Sequence, residues 1–195
     1  MTFLFTDIEG STRLLNELGD RYPEALGHHR RLLREAFARH DGAEVDTQGD
    51  AFFVAFADAR GAVTAAAEAQ AALAGGPIRV RMGLHTGEPI VWEEGYAGLD
   101  VHRGARICAA AHGGQIVLSE RTRAEADGVF VRDLGMHRLK DLWSRSASIS
   151  LATVTSHRCE RCTRRTFLRR RRRSSAASAS SRSRPRSSAN TGSSH

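Results

Sequence analysis

The stretch Phe3-Leu-Phe-Thr-Asp-Ile-Glu-Gly-Ser-Thr12 decides the expected fold of this chain and the chemistry at one end of it. Its first three residues are an apolar run that predicts a buried strand. A helix is predicted to open at Gly10, because apolar residues recur at helical spacing over residues 14–18. Asp7 therefore lies between a strand end and a helix N-terminus, whose free backbone N–H groups favour an anion.

A second stretch, Asp46-Thr-Gln-Gly-Asp50-Ala-Phe-Phe-Val-Ala-Phe56, predicts two strands around a Gly-Asp turn. It brings a second carboxylate, Asp50, to the end of a strand. Two such carboxylates repel each other unless a cation lies between them, and Mg²⁺ prefers hard oxygen ligands that it shares with substrate phosphates. A pair of metal ions roughly 4 Å apart can activate one oxygen and polarise a phosphorus. The two acids thus predict a site for a metal–nucleoside triphosphate.

Five motifs in the right order make residues 2–142 resemble the catalytic domain of class III nucleotide cyclases. They are Phe-Thr-Asp-Ile-Glu-Gly-Ser-Thr, Thr-Gln-Gly-Asp-Ala-Phe, Met82-Gly-Leu-His-Thr-Gly87, Gly98-Leu-Asp-Val-His-Arg-Gly-Ala-Arg106 and His137-Arg-Leu-Lys140. The resemblance implies an α/β (α+β) ferredoxin-like sandwich that dimerises head to tail, with its sites at the interface. It also implies an enzyme that converts ATP or GTP to the 3′,5′-cyclic nucleotide and pyrophosphate in cyclic-nucleotide signalling.

The resemblance carries site residues onto this sequence. It makes Asp7 and Asp50 the ligands of two Mg²⁺ or Mn²⁺ ions, with the Ile8 carbonyl as an added oxygen. The phosphates would be held by Gly10, Ser11 and Thr12 and by Lys140. Charge develops on phosphoryl oxygens during in-line displacement, so fixed cations at these oxygens lower the barrier.

Catalytic groups are expected on the segment from Gly98 to Arg106. Arg106 matches the arginine that stabilises the transition state from the other protomer. His102 replaces the asparagine that orients the ribose, and a histidine still donates one hydrogen bond. The base-reading positions fall on Asp46 and Gly95, neither of which is the residue of an adenine-reading cyclase. Asp46 can accept hydrogen bonds from a guanine edge but cannot donate to adenine N1, and the choice between ATP and GTP stays open here.

These departures leave a second hypothesis beside the enzyme. It is a nucleotide-binding regulatory module with weak or no turnover, from a truncated multidomain transcription regulator. A heterodimer with an intact cyclase would supply the missing base-reading groups, whereas a homodimer is the arrangement that the family implies.

Charge divides the chain at residue 142. Residues 1–142 hold 16 basic and 21 acidic side chains, whereas residues 143–195 hold 13 basic and 1 acidic, so the tail accounts for the net charge of +7. Its Ser/Arg-rich composition predicts disorder. A basic-tailed nucleic-acid binder is a third, weaker hypothesis, because it rests only on the tail, whose single Cys-x-x-Cys lacks a second half. Nucleic acid is therefore not an expected partner.

The tail has a simpler explanation. Shifting the codons by one base after Leu142 can give Val-Glu-Pro-Glu-Arg-Leu-Tyr-Gln-Leu, which continues the cyclase pattern as a last strand should. We therefore expect residues 143–195 to be translated out of frame, with no selected chemistry. Residues 148–155 nevertheless have strand-like composition and could pair at the sheet edge.

The remaining expectations concern location and ordinary packing. There is no signal peptide and no apolar stretch near the length of a membrane span, and three cysteines form no framework, so a cytoplasmic protein with no membrane partner is expected. A helix is predicted over residues 62–74 and a strand over residues 82–86. His85 is expected to be structural, and Cys108 to be a small core residue.

Overall fold

A computed structural model describes residues 1–93, 95–139 and 148–154. These residues form nine strands and five α-helices. The elements are β1 (Thr2–Ile8), α1 (Ser11–Leu18), α2 (Tyr22–Ala38), β2 (Ala43–Gln48), β3 (Ala51–Phe56), α3 (Ala59–Ala72), β4 (Val80–Thr86), β5 (Ile90–Trp92), β6 (Gly95–Ala97), α4 (Leu99–Ala110), β7 (Ile116–Ser119), α5 (Glu120–Glu125), β8 (Val131–Arg138) and β9 (Ser148–Val154). A short 3₁₀ turn joins α1 to α2.

Seven of the strands form one sheet in the order β2-β3-β1-β4-β7-β9-β8, and β5 pairs with β6 in a separate hairpin. All neighbours in the large sheet are antiparallel except β4 and β7, which are parallel. The first four strands and the helices between them follow the β-α-β-β-α-β order of a ferredoxin-like sandwich. The predicted α+β fold is therefore confirmed.

The helices α1, α2 and α3 cover one face of the sheet. Successive side chains of a strand point to opposite faces, so Leu4 and Ile8 of β1 face these helices, together with Phe52 and Val54 of β3. All four side chains are almost completely buried. This layer is the main core, and it holds the end of β1 in place.

The helix α4 lies on the opposite face, where glycines let it approach the sheet. A Cβ on Gly83 of β4 would overlap the backbone of Cys108, and one on Gly104 would lie 2.7 Å from the Phe5 ring. Cys108 is buried, as expected for a core residue, and burial raises the pKa of its thiol to about 12. Close helix–sheet contact thus sets the position of α4.

Most of the predicted elements are confirmed with shifted ends. The hairpin of β2 and β3 turns at Gly49, and the strand predicted over residues 82–86 is β4. The helix predicted over residues 62–74 begins earlier, at Ala59, because the Asp58 carboxylate caps it by accepting a hydrogen bond from the Gly61 N–H at 2.6 Å. Within α1 only Leu14 is buried, whereas Leu15 is 46% exposed.

The strand-like stretch of the tail does form a strand, β9, but not at the sheet edge. It pairs with β7 on one side and β8 on the other, and Leu151 and Ala152 are fully buried. Pairing on both sides satisfies its backbone, so its position is interior. The predicted disorder of the tail and the Lys140 side chain lie outside the described residues, and the frameshift stays a prediction.

No helix within the described ranges has both the length and the apolar character needed to cross a bilayer. The longest of them, α2, has 17 residues and carries several charged side chains.

Candidate active site

Asp7 and Asp50 lie at the same end of the sheet. Thr6 of β1 pairs with Phe52 of β3, so Asp7 follows one residue beyond this pair on its strand, and Asp50 lies two residues before it in the turn. The antiparallel register thus places at one sheet end two acids that are far apart in the sequence. Their predicted role as metal ligands stays a prediction, but their proximity in the fold agrees with it.

One carboxylate oxygen of Asp50 is among the buried side-chain polar atoms that lack a hydrogen-bonding partner among the described residues. Its Oδ2 is buried and makes no hydrogen bond with any residue that the structure describes. Buried polar atoms are almost always paired, so an unpaired carboxylate oxygen calls for an explanation. A cation at this position would supply one.

Asp7 is bound by an arginine that the sequence analysis did not identify. Arg81 pairs with Asp7 in the β1–β4 register, and its Nε donates to Asp7 Oδ2 at 2.7 Å, with a second contact from Nη2. Both side chains are roughly seven-tenths buried. The only signal in the sequence is the position of Arg81 directly before the Met82–Gly87 motif.

The turn that carries Asp50 is held from the helix layer. Arg30 of α2 donates through Nη2 to the Gly49 carbonyl, and Gly49 itself adopts the left-handed φ of 61°. Tyr22 at the start of α2 has a raised pKa because of its burial and the nearby charge of Asp50. The sequence analysis did not identify Arg30 either, because an arginine on a helix gives no sign in the sequence of a contact with a distant turn.

The expected phosphate-binding segment has the geometry of a helix start. Gly10 has a left-handed φ of 71° and precedes α1, and no side chain of the described ranges caps this helix. The Leu14 N–H donates to the Gly10 carbonyl at 3.0 Å, so the N–H groups of Ser11 and Thr12 come before the first intrahelical bond. Ile8, the predicted carbonyl ligand, ends β1 nearby. Such a start suits an anion.

His102 and Arg106 share one exposed face of α4. They are four residues apart, which makes them neighbours on a helix surface, and both are exposed. The opposite side of α4 buries Gly104 and Ile107 against the sheet. These two predicted catalytic residues therefore point away from the sheet of their own chain.

A buried network anchors the N-terminal turn of α4. The Asp100 carboxylate accepts from the Glu88 N–H at 2.9 Å and from Arg103 at 2.7 Å, and lies 3.2 Å from His85 Nε2. His85 Nδ1 lies 2.9 Å from the Ser119 hydroxyl. Burial is the main cause that lowers the pKa of His85. The expectation that His85 is structural is thereby supported.

The two predicted base-reading positions, Asp46 and Gly95, lie close together in the fold, although the sequence of neither strand indicates this. Asp46 lies on the edge strand β2 and accepts from Gln48 Nε2 at 2.8 Å. A Cβ on Gly95 would lie 3.2 Å from Val45 Cγ1, so β6 touches the same strand. Gly95 has a φ of 130°, a conformation that a side chain rarely adopts.

The donor set fits a hard divalent cation only if the substrate completes it. Among residues 1–93, 95–139 and 148–154 there is no group of three or more His, Cys, Asp or Glu that could hold a metal ion. Two carboxylates and a backbone carbonyl remain, and Mg²⁺ is commonly bound by one or two carboxylates plus substrate phosphates. The unpaired oxygen of Asp50 agrees with this arrangement.

Comparisons with known proteins agree with this geometry. Residues 1–74 match the family model of the adenylate and guanylate cyclase catalytic domain. An uncharacterized protein of Mycobacterium tuberculosis is 39% identical over 151 residues, covering 73% of this chain and 52% of that protein. An adenylate cyclase of Podospora anserina is 30% identical over 156 residues, covering 64% of this chain and 7% of that protein.

The same likeness holds for the fold. A solved structure of an adenylate cyclase from Trypanosoma brucei in its monomeric state has a TM-score of 0.70 and 25% identity, covering 78% of this chain and 88% of that chain. The chain spans about half the length of the Mycobacterium protein that it matches. By its first 74 residues and by its fold, the chain is similar to the class III adenylate and guanylate cyclase catalytic domains.

Proposed function

We propose that this chain is a metal-dependent nucleotide cyclase that converts a purine nucleoside triphosphate to its 3′,5′-cyclic monophosphate and pyrophosphate. The observation that carries the proposal is the buried Oδ2 of Asp50, which has no hydrogen-bonding partner among the described residues and lies at the same sheet end as Asp7. A buried carboxyl oxygen in this environment fits a site that is completed by a cation and a triphosphate.

In the proposed reaction the substrate 3′ oxygen bonds to the α-phosphorus, the bond from that phosphorus to the bridging oxygen breaks, and the hydroxyl proton is released. Asp7, Asp50 and the Ile8 carbonyl would hold two Mg²⁺ or Mn²⁺ ions, which supply positive charge to the triphosphate when bound. The N–H groups of Ser11 and Thr12 would donate to phosphate oxygens at the start of α1.

Fixed cations would take the charge that develops on the phosphoryl oxygens. Arg106 would stabilise the transition state, and Lys140 would bind the triphosphate. His102 would orient the ribose by one hydrogen bond. Arg81 adds a further positive charge beside Asp7. Because preorganised charges need no rearrangement during the reaction, each is expected to matter more for kcat than for KM.

The placement of these groups favours a homodimer. The acids lie at a sheet end, whereas His102 and Arg106 face outward from α4. The β5–β6 hairpin and the start of α4 also expose large apolar side chains. These are Ile90, Val91, Trp92 and Leu99, each more than half exposed. A second copy, or an intact cyclase in a heterodimer, would cover them and bring one protomer's α4 to the other's acids.

The test is cyclic nucleotide formation by the purified chain with Mn²⁺ and either ATP or GTP. Asp50→Asn keeps the size of the side chain but removes its charge, and product formation should fall at least ~100-fold if this oxygen binds a catalytic cation. Asp127→Asn makes the same change at an exposed turn and should keep full activity. Equal activity of the two variants would show that Asp50 does not bind a catalytic cation.

The second candidate function is a nucleotide-binding regulatory module without turnover. It is favoured by Gly95, which has no side chain to read a base, and by His102 in place of the ribose-orienting group. Metal-dependent binding of a nucleoside triphosphate that Asp50→Asn abolishes, with no cyclic product from the unaltered chain, would establish this function in place of the enzyme.

A further inference from the structure

Arg81 and Asp7 face each other across two neighbouring strands. Asp7 of β1 is opposite Arg81 of β4 in the antiparallel register, and side chains of directly opposite residues lie on the same face of a sheet. Arg81 Nε donates to Asp7 Oδ2 at 2.7 Å, and Nη2 contacts the same oxygen. The side chains are only 27% and 31% exposed, and salt screens a partly buried ion pair much less than an exposed one.

The arginine balances the charge of Asp7 without using the whole carboxylate. Nε and Nη2 both reach Oδ2, and among the described residues no hydrogen bond reaches Oδ1. The Cys108 S–H donates to the Arg81 carbonyl at 3.5 Å, so the backbone of Arg81 is held separately from its guanidinium. Asp7 can therefore still bind a cation through Oδ1 while the positive charge of Arg81 lies beside it.

Positive charge at this sheet end opposes the binding of a metal ion. Arg81 is paired with Asp7. Arg30 of α2 donates to the Gly49 carbonyl, in the turn that carries Asp50. An arginine stays protonated at every physiological pH. A divalent cation that approaches the two acids therefore also meets two guanidinium groups, which repel it.

A nucleoside triphosphate changes this balance. Its phosphates are strongly negative, attract guanidinium groups and offer oxygen ligands to Mg²⁺ or Mn²⁺. The guanidinium that repels a cation from the free site thus attracts the triphosphate that would bind beside it. The same arginine therefore opposes binding of the metal alone and favours binding of the metal together with the triphosphate.

We propose that Arg81 couples the two ligands of this site, so that the metal binds tightly only together with the nucleoside triphosphate. The inference rests on the proposed function, because it concerns the regulation of the same site. Arg81 is a positioning residue that acts through its contact with Asp7 and through its charge. Coupling between two ligands is reciprocal, so Arg81 must also increase the gain in nucleotide affinity that the metal provides.

The experiment measures three dissociation constants on the full chain. The electron paramagnetic resonance signal of free Mn²⁺ gives its binding without nucleotide, and equilibrium dialysis gives the binding of 3′-deoxy-GTP in EDTA and in saturating Mn²⁺. Arg81→Gln removes the charge and should bind Mn²⁺ alone at least ~10-fold more tightly than the wild type. In EDTA it should bind the nucleotide more weakly than the wild type. The gain in nucleotide affinity on adding Mn²⁺ should be at least ~10-fold smaller in this variant.

Matched variants separate the coupling from folding. Arg81→Lys keeps the positive charge and should retain most of the coupling. Arg39→Gln is the control, because Arg39 Nε and Nη2 each lie 3.0 Å from one oxygen of Glu68 and repeat the geometry of the Arg81 pair away from the two acids. It should match the wild type in all three constants. If Arg81→Gln bound both the metal and the nucleotide more weakly, Arg81 would have a merely structural role and the coupling would be overturned.

Product formation by the wild type tests the enzyme separately. Tighter binding of Mn²⁺ alone by Arg81→Gln, with no cyclic product from the wild type, would support the coupling and remove the enzyme. Cyclic product from the wild type, with Arg81→Gln binding Mn²⁺ no more tightly, would support the enzyme and overturn the coupling. Absence of metal and nucleotide binding by the wild type and by Arg81→Gln would overturn both.

Discussion

Asp50→Ala should make the metal-free protein more stable, although it removes a residue of the proposed site. The Oδ2 atom of Asp50 is buried without a hydrogen-bonding partner among the described residues. Leaving a buried acceptor unpaired costs about 1–3 kcal/mol. Taking the lower end of this range, the variant should gain about 1 kcal/mol in free energy of unfolding, which corresponds to about 2–4 °C for a chain of this size.

Metal and nucleotide should reverse the order of stability. A ligand at one hundred times its dissociation constant stabilises the folded state by about 2.7 kcal/mol. The wild-type protein should show this shift with Mn²⁺ and 3′-deoxy-GTP, which cannot cyclise, whereas Asp50→Ala should show almost none. The variant is thus expected to melt higher in EDTA and lower in the presence of metal and nucleotide.

Thermal unfolding followed by circular dichroism in the two buffers provides the assay, with Asp127→Ala as a control that should follow the wild type in both. A lower melting temperature of Asp50→Ala in EDTA would show that the unpaired oxygen carries no penalty. A full metal–nucleotide shift in the variant would show that Asp50 is not a ligand. Either result refutes the reasoning from the unpaired atom to the cation.

Three further perturbations test other parts of the structure. Burial lowers the pKa of His29 from 6.5 to about 4. As the pH drops from 6.5 to 4, the unfolded state therefore binds a proton that the folded state does not, and the free energy of unfolding should fall by up to about 3 kcal/mol. Urea unfolding of His29→Leu should lack this fall. Arg81→Ala should lower the free energy of unfolding by about 1–3 kcal/mol in EDTA and by less with Mn²⁺, because the metal replaces the arginine charge beside the Asp7 carboxylate. Equal losses in the two buffers, measured by urea unfolding, would contradict this. Gly104→Ala places a Cβ 2.7 Å from the Phe5 ring and should cost about 1–3 kcal/mol, whereas Gly27→Ala, with open space, should cost nothing in the same melts.

Local pattern was sufficient to predict most elements of the first half of the fold. The apolar run before Asp7, the Gly-Asp turn before Phe52 and the alanine-rich helix are each encoded by residues within a few positions of one another, and all three are confirmed. Helix α3 begins earlier than its apolar spacing indicates, because a capping carboxylate rather than periodicity sets its start. The resemblance to class III cyclases also implied a ferredoxin-like sandwich.

The candidate site was predictable only in part. The local pattern placed Asp7 and Asp50 at strand ends, and in the structure Asp7 is the second-last residue of β1 while Asp50 lies in the turn directly before β3. It did not identify Arg81, whose contact with Asp7 spans 74 positions. It also did not show that a side chain at Gly95 would be strained by the φ of 130° and would require Val45 to move.

By itself, the sequence determined which residue types this protein brings to a metal–nucleotide site and which short segments form strands and helices. Only the tertiary structure decided which charges meet, which carboxylate oxygen stays unpaired, and that β9 lies inside the sheet instead of at its edge. The physical reason is that strand register and close helix–sheet contact at Gly83 and Gly104 join residues far apart in the chain. No local pattern specifies these pairs.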